Sequence, residues 1–151
     1  MADYFNHDFR DFLRALNEHE VEYILVGGMA VILHGYVRTT GDMDIWIKKS
    51  KENYKKLVLA FREFGMPVLD LTEESFLDDK LNVWGFGRKP VLIEILSEVK
   101  GLDFDEAFKI ALYHIEDNIK IRFLHLNSLI ESKKAAGRYR DLDDIDQLTK
   151  E

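Results

Sequence analysis

Phe5, Phe9, Phe12, Leu13 and Leu16 recur at steps of three and four residues, which predicts an amphipathic helix near residues 6–18. The next apolar stretch, Tyr23-Ile24-Leu25-Val26, is short and predicts a buried strand. Gly27-Gly28 breaks it, and Met29-Ala30-Val31-Ile32-Leu33 predicts a short buried helix ending near Gly35. Asp42 to Ile47 is an apolar run carrying two carboxylates at its start and predicts a second strand. Tyr54, Leu57, Val58, Phe61 and Phe64 mark a second amphipathic helix, stopped by Gly65 and Pro67.

Further along, Leu81–Trp84 and Val91–Leu96 read as two strands joined by Gly85-Phe86-Gly87-Arg88-Lys89. Ile110–His114 and Ile119–Phe123 are expected to pair around Glu116-Asp117-Asn118. A helix from about Asn127 to Ala136 stops at Gly137. A last one runs from about Arg140 to Thr149, with Leu142, Ile145 and Leu148 facing inward. Strands and helices mix without a strict βαβ rhythm. The expected architecture is one α+β domain over residues 1–151, with a mixed sheet flanked by helices.

Composition narrows the function. The chain has 21 Lys plus Arg against 28 Asp plus Glu, a net charge of −7, which disfavours a general grip on nucleic acid. Cysteine is absent, which excludes a disulfide frame and thiolate metal sites. The start, Met1-Ala2-Asp3-Tyr4-Phe5, lacks a basic-then-apolar signal pattern, and no apolar run approaches the ~20 residues of a membrane span. The expected location is the cytoplasm. The five histidines show no zinc spacing, and neither a Walker loop nor a Gly-x-Ser-x-Gly elbow is present.

The chemistry concentrates in Gly41-Asp42-Met43-Asp44-Ile45-Trp46-Ile47. On a strand, residues two apart share a face, so Asp42 and Asp44 project together with Cα atoms roughly 6.5 Å apart. Met43, Ile45 and Ile47 then turn toward a core. Two adjacent carboxylates repel, and burying them unpaired costs several kcal/mol, so a cation is expected between them; hard Mg²⁺ suits carboxylate oxygens. A pair of metal ions about 3.5–4 Å apart would clamp an in-line phosphoryl transfer and would ask for a third carboxylate. Glu94, alone among apolar neighbours in Val91–Leu96, is the candidate, ahead of Asp70, Asp78 and Asp79. The plainer reading makes Glu94 an edge-strand residue facing solvent.

Other positions carry two readings each. Gly27-Gly28 is either a plain strand-to-helix turn or a cradle for a triphosphate. Arg38, four residues before Asp42, meets phosphate or balances the aspartates. Lys133 ends the apolar stripe Leu126, Leu129, Ile130, and either snorkels to water or points into a cleft. Arg138 and Arg140 flank Tyr139 in a loop that closes over a nucleotide or pairs with Asp141, Asp143 and Asp144. Lys48-Lys49-Ser50-Lys51 is a solvated helix start or touches an RNA backbone. His34 is structural or a supporting donor.

The ordered set Gly27-Gly28, Asp42-Met43-Asp44 and Ile93-Glu94-Ile95 resembles the polymerase-beta-like nucleotidyltransferase superfamily. More narrowly, Val26-Gly27-Gly28-Met29-Ala30, His34-Gly35, Arg38–Asp44 and Leu129–Ile145 resemble the AbiEii-type and related minimal nucleotidyltransferases. The resemblance implies that fold, with C-terminal helices closing a nucleotide cleft. It implies Mg²⁺-dependent transfer of a nucleoside monophosphate from an NTP to a hydroxyl, with release of pyrophosphate. By position, Asp42, Asp44 and Glu94 would be the catalytic metal ligands for two Mg²⁺ ions. Gly27, Gly28, Arg38, Lys133 and Arg138 would meet the nucleotide. Many relatives have serine where Gly28 stands, so phosphate contact here would rest on backbone amides. The acceptor is left open among RNA, a small molecule and a protein, with a partner chain or homodimer to complete the site. A nucleotide-binding antitoxin or regulatory half of a toxin–antitoxin-like pair is the alternative.

Overall fold

The computed structural model describes residues 4–36, 41–79, 83–88 and 90–149. It opens with helix α1 (His7–Glu18), whose start is capped by the Asn6 side chain accepting the Phe9 N–H. Strand β1 (Tyr23–Val26) leads directly into α2 (Gly27–Leu33), and β2 (Asp42–Ile47) follows. Ser50 caps α3 (Lys51–Phe64), and Gly65 ends it in the left-handed conformation at φ 87°. A Thr72–Ser75 capping box starts the one-turn α4 (Glu73–Leu77). Then come β3 (Val83–Arg88), β4 (Val91–Leu96), α5 (Phe104–Ile110), β5 (Leu112–Glu116), β6 (Ile119–Phe123), α6 (Leu126–Ala136) and α7 (Tyr139–Thr149).

The strands form one sheet in the order β3-β4-β2-β1-β6-β5. It is mixed, as expected: β2 runs parallel to β4 and β1 to β6, and the other neighbours are antiparallel. Alternation along the strands feeds two apolar layers. Leu25, Met43, Ile45, Ile47, Ile93 and Ile95 pack with α1 and α3 on one face. Ile24, Val26 and Trp46 turn to the other face, where they meet Ala107 of α5 and Leu129 of α6. Trp46 stands edge-on to Phe104 with ring centroids 5.0 Å apart. β2 is thus apolar on both faces beyond its acidic start.

Two buried polar side chains tie distant segments. Asn53 accepts the Glu22 N–H and donates to the Glu22 and Lys48 carbonyls, so α3 is pinned to the ends of β1 and β2. Glu116 accepts the N–H groups of Tyr4 and Phe5 at 2.8 and 3.0 Å, docking the start of the chain against β5.

Three expectations change. Gly85 to Arg88, expected in a loop, belong to β3 and pair with β4 as far as Arg88–Val91, while Leu81 and Asn82 of the expected strand lie outside the described residues. Residues 104–110 form α5, capped by Asp103, and the expected strand at Ile110 begins at Leu112. In α7 Asp141 and Asp144 are buried, each 1% exposed, and Leu142 is 51% exposed, while Leu148 packs against the second apolar layer as expected. Buried Lys133 is the reason those two aspartates turn inward. Among the described residues no helix is long and apolar enough to cross a membrane.

Candidate active site

The sheet register builds the site. Asp44 of β2 lies directly opposite Glu94 of β4 on one side and Val26 of β1 on the other. Asp42 stands two residues earlier on the same face. β4 lies between β3 and β2, so Glu94 is on an interior strand and the edge-strand reading fails. Opposite partners in a sheet point to the same side, so three carboxylates from two adjacent strands share one surface.

Gly27 closes over this surface from the end of β1. Its φ is +69°, and a Cβ there would collide with the Asp44 carboxylate. Glycine at 27 is therefore required both by backbone conformation and by the space Asp44 occupies. Gly28 follows in the first turn of α2, and Val26, the residue before that helix, gives it no side-chain cap. We expect Gly27→Ala to cost about 1–3 kcal/mol by strain and by displacing Asp44, a lower Tm in thermal unfolding being the check.

Burial pushes the Asp44 carboxyl up to about 7, and the Glu94 and Asp42 carboxylates add to the shift, while Arg140 opposes it. The Asp44 Oδ1 is buried without a hydrogen-bond partner. A negative group held in such surroundings favours a cation beside it. The donor set, all carboxylate oxygen, fits a hard divalent ion. The three carboxylates are spread across two strands: among the described residues, the group whose ligand atoms lie within 4.8 Å of one another is instead His7, Asp8 and Asp11, on the exposed side of α1.

The C-terminal helices meet the site through charge. Lys133 of α6 is buried, and its ammonium lies 3.3 Å from Asp141 Oδ1 and 2.8 Å from Asp144 Oδ2. Burial excludes the snorkel to water, and the ammonium faces two aspartates of α7. Arg138 Nε donates to Asp141 Oδ2 at 2.6 Å, and its backbone N–H reaches the same oxygen at 3.2 Å. Burial alone would raise the Asp141 carboxyl, but Arg138 and Lys133 outweigh it and hold it below the usual carboxylate range. Tyr36, just after α2, donates to Asp143 at 3.0 Å and links α7 to the glycine-led helix. Arg138 and Arg140 both lie close enough for charge interaction with Asp44. The segment carrying them is the start of α7, with Tyr139 93% exposed between them.

Arg38 lies outside the described residues. His34 donates from Nε2 to the Leu124 carbonyl at 2.7 Å, a structural role. Lys48 pairs with Asp105 and Glu22, and Lys49 with Asp79 and Glu98, so both have acidic partners within this chain. Asp78 and Asp79 both serve Lys49. The sequence offered Asp141 and Asp144 only as surface partners of Arg138 and Arg140, in one of two readings; the Arg138–Asp141 pair forms, but both carboxylates are buried. The available signal was Lys133 itself, since a lysine ending an apolar stripe needs counter-charges if it turns inward.

A family model described as a nucleotidyltransferase of unknown function (DUF6036) matches residues 8–149. The fold is similar to a solved Thermotoga maritima protein provisionally assigned as a nucleotidyltransferase (TM-score 0.59, 14% identity, 91% of this chain and 88% of that one). It is also similar to an antigenic nucleotidyltransferase-like protein from Paracoccidioides brasiliensis (TM-score 0.53, 13% identity, 92% of this chain and 72% of that one). No functionally curated protein matches the chain by sequence.

Proposed function

The chain belongs to the DUF6036 family of nucleotidyltransferases, and on that footing we propose that it is a Mg²⁺-dependent enzyme moving a nucleoside monophosphate from an NTP to a hydroxyl. The observation that carries the reading is the register pair Asp44–Glu94, with Asp42 beside it and Gly27 packed on Asp44. Asp42, Asp44 and Glu94 would hold the metal. When bound, Mg²⁺ supplies charge for the triphosphate and lowers the pKa of the attacking hydroxyl.

The chain's own groups do the rest. Gly27 makes room for the Asp44 carboxylate beside the start of α2, where the backbone of Gly27 and Gly28 would meet the triphosphate. Arg138 and Arg140 bring positive charge to the Asp44 side, where negative charge gathers as pyrophosphate departs. Lys133 holds Asp141 and Asp144, and through them the start of α7, over the cleft. The resemblance of the ordered motifs to the AbiEii-type group supports this reading. Cytoplasmic location and an acceptor in solution complete the proposal.

Ligand-dependent stability tests it. At about 100 Kd of NTP with Mg²⁺, stabilisation of about 2.7 kcal/mol is expected, raising Tm by roughly 5–11 °C. The same NTP with EDTA should give only a small part of that rise. Equal rises with and without Mg²⁺, or none, would remove the metal-dependent reading. Incubation with each α-labelled NTP and total RNA, extract protein or glycerol then identifies the acceptor as a covalent adduct.

A further inference from the structure

Several glycines of this chain have a local reason to be glycine. Gly65 and Gly137 end helices with φ of 87° and 67°. Gly87 has φ +84°, and a Cβ there would collide with the Val91 carbonyl. Gly85 has neither constraint. Its φ is not positive, and a Cβ would meet nothing nearer than Leu92 Cδ1 at 3.8 Å, an ordinary contact. It nevertheless sits inside β3, where glycine weakens a strand and a β-branched or aromatic residue serves better.

Its place in the register supplies the missing reason. Gly85 pairs with Glu94, which pairs with Asp44. A side chain at 85 would therefore stand on the carboxylate face, immediately beside Glu94. β3 is the terminal strand of the sheet, and on this face Val83, Gly85 and Gly87 are exposed. The opposite face of β3 is anchored by Trp84 and Phe86, buried in the main apolar layer. The strand is thus held firmly from below and kept bare above, on the side where it borders the acidic row.

We propose that Gly85 keeps open the lane by which the acceptor hydroxyl reaches the α-phosphorus, over the outer edge of the sheet beside Glu94. This rests on the nucleotidyltransferase reading above. In that lane the acceptor oxygen forms a new bond to the α-phosphorus. The bond from the α-phosphorus to the bridging oxygen breaks, and pyrophosphate leaves with its electron pair. The hydroxyl proton passes to solvent by way of the Glu94 carboxylate. Gly85 acts by absence of a side chain and sets which acceptors fit.

The test uses Gly85→Ala and Gly85→Leu in the full chain. If the glycine serves the lane alone, both variants match or exceed wild-type Tm, by up to about 2–4 °C, because the strand gains a better residue. The thermal shift with Mg·NTP stays unchanged. Transfer from α-labelled NTP to total RNA, extract protein or glycerol falls modestly in the alanine variant, with a raised acceptor KM. In the leucine variant it falls about 10²-fold. A leucine variant that transfers within threefold of wild type overturns the proposal, and so does one that loses stability, which would mark Gly85 as structural. Wild type that is stabilised by Mg·NTP yet labels no acceptor removes the lane and leaves nucleotide binding standing. No Mg·NTP stabilisation at all removes the functional reading itself.

Discussion

Asp44→Asn should make the metal-free protein more stable at pH 8 while reducing nucleotidyl transfer by at least about 10²–10³-fold. The two effects have one origin. The folded Asp44 carboxyl sits at about 7 because burial and two neighbouring carboxylates disfavour its charge, while its ordinary value is 3.8. Between those values the native state holds a proton that the unfolded chain gives up. Stability from this group is therefore greatest below about pH 4, declines as pH rises toward 7, and is lowest above it. The shift sets a ceiling of about 4 kcal/mol on the cost at pH 8, and partial solvent contact brings the expected value to about 1–3 kcal/mol. Asparagine keeps the shape and removes the charge. Wild type should lose roughly 1–7 °C of Tm between pH 5 and pH 8 relative to Asp44→Asn, both in EDTA. Parallel pH profiles for the two proteins would show that the carboxylate is not held against its charge. The sacrificed stability is what a cation would recover, so the variant should also lose the Mg²⁺-dependent part of the NTP response.

Lys133→Met should destabilise the fold by about 3–5 kcal/mol, a fall in Tm of roughly 6–20 °C. Methionine fills similar space, so the loss is electrostatic. It leaves Asp144 without its ammonium and Asp141 with Arg138 alone, both carboxylates being 1% exposed. Adding Asp144→Asn to Lys133→Met should restore much of the loss, and the double-mutant cycle gives the coupling directly. Additive effects would show that the lysine and Asp144 do not depend on each other. The Asp141 carboxyl, held below its ordinary value, contributes stability that is present above about pH 4 and lost as pH falls through its folded value. Acid should therefore loosen α7 before the sheet. Loosened α7 takes Arg138 and Arg140 from the site, so Lys133→Met should also weaken the Mg·NTP thermal shift at temperatures where the sheet is intact.

Apolar patterning located β1, β2, β4, β6, α1, α3 and α6 to within a few residues, because the helices bury a clear stripe and the strands are short apolar runs. It lost α5, whose Asp103 cap and apolar Phe104, Ala107 and Phe108 were present but short. It lost most of β3, since Gly85 and Gly87 look like turn residues until pairing with β4 is known. In α7 it placed Leu148 inward correctly and Leu142 wrongly, and it missed that the buried Lys133 ammonium draws Asp141 and Asp144 in. An ion pair between two helices is a long-range fact that no local window contains.

Spacing alone placed Asp42 and Asp44 on one face, since a strand's two-residue period is a property of the backbone, and it marked Glu94 as foreign among its apolar neighbours. Which strands lie side by side is another matter. That Asp44 meets Glu94, that Gly27 rests on Asp44, and that Gly85 leaves the next position bare all follow from the order β3-β4-β2-β1. Strand order is chosen by burial of both sheet faces at once, an energy summed over the whole chain, and so it is written in no single segment of it.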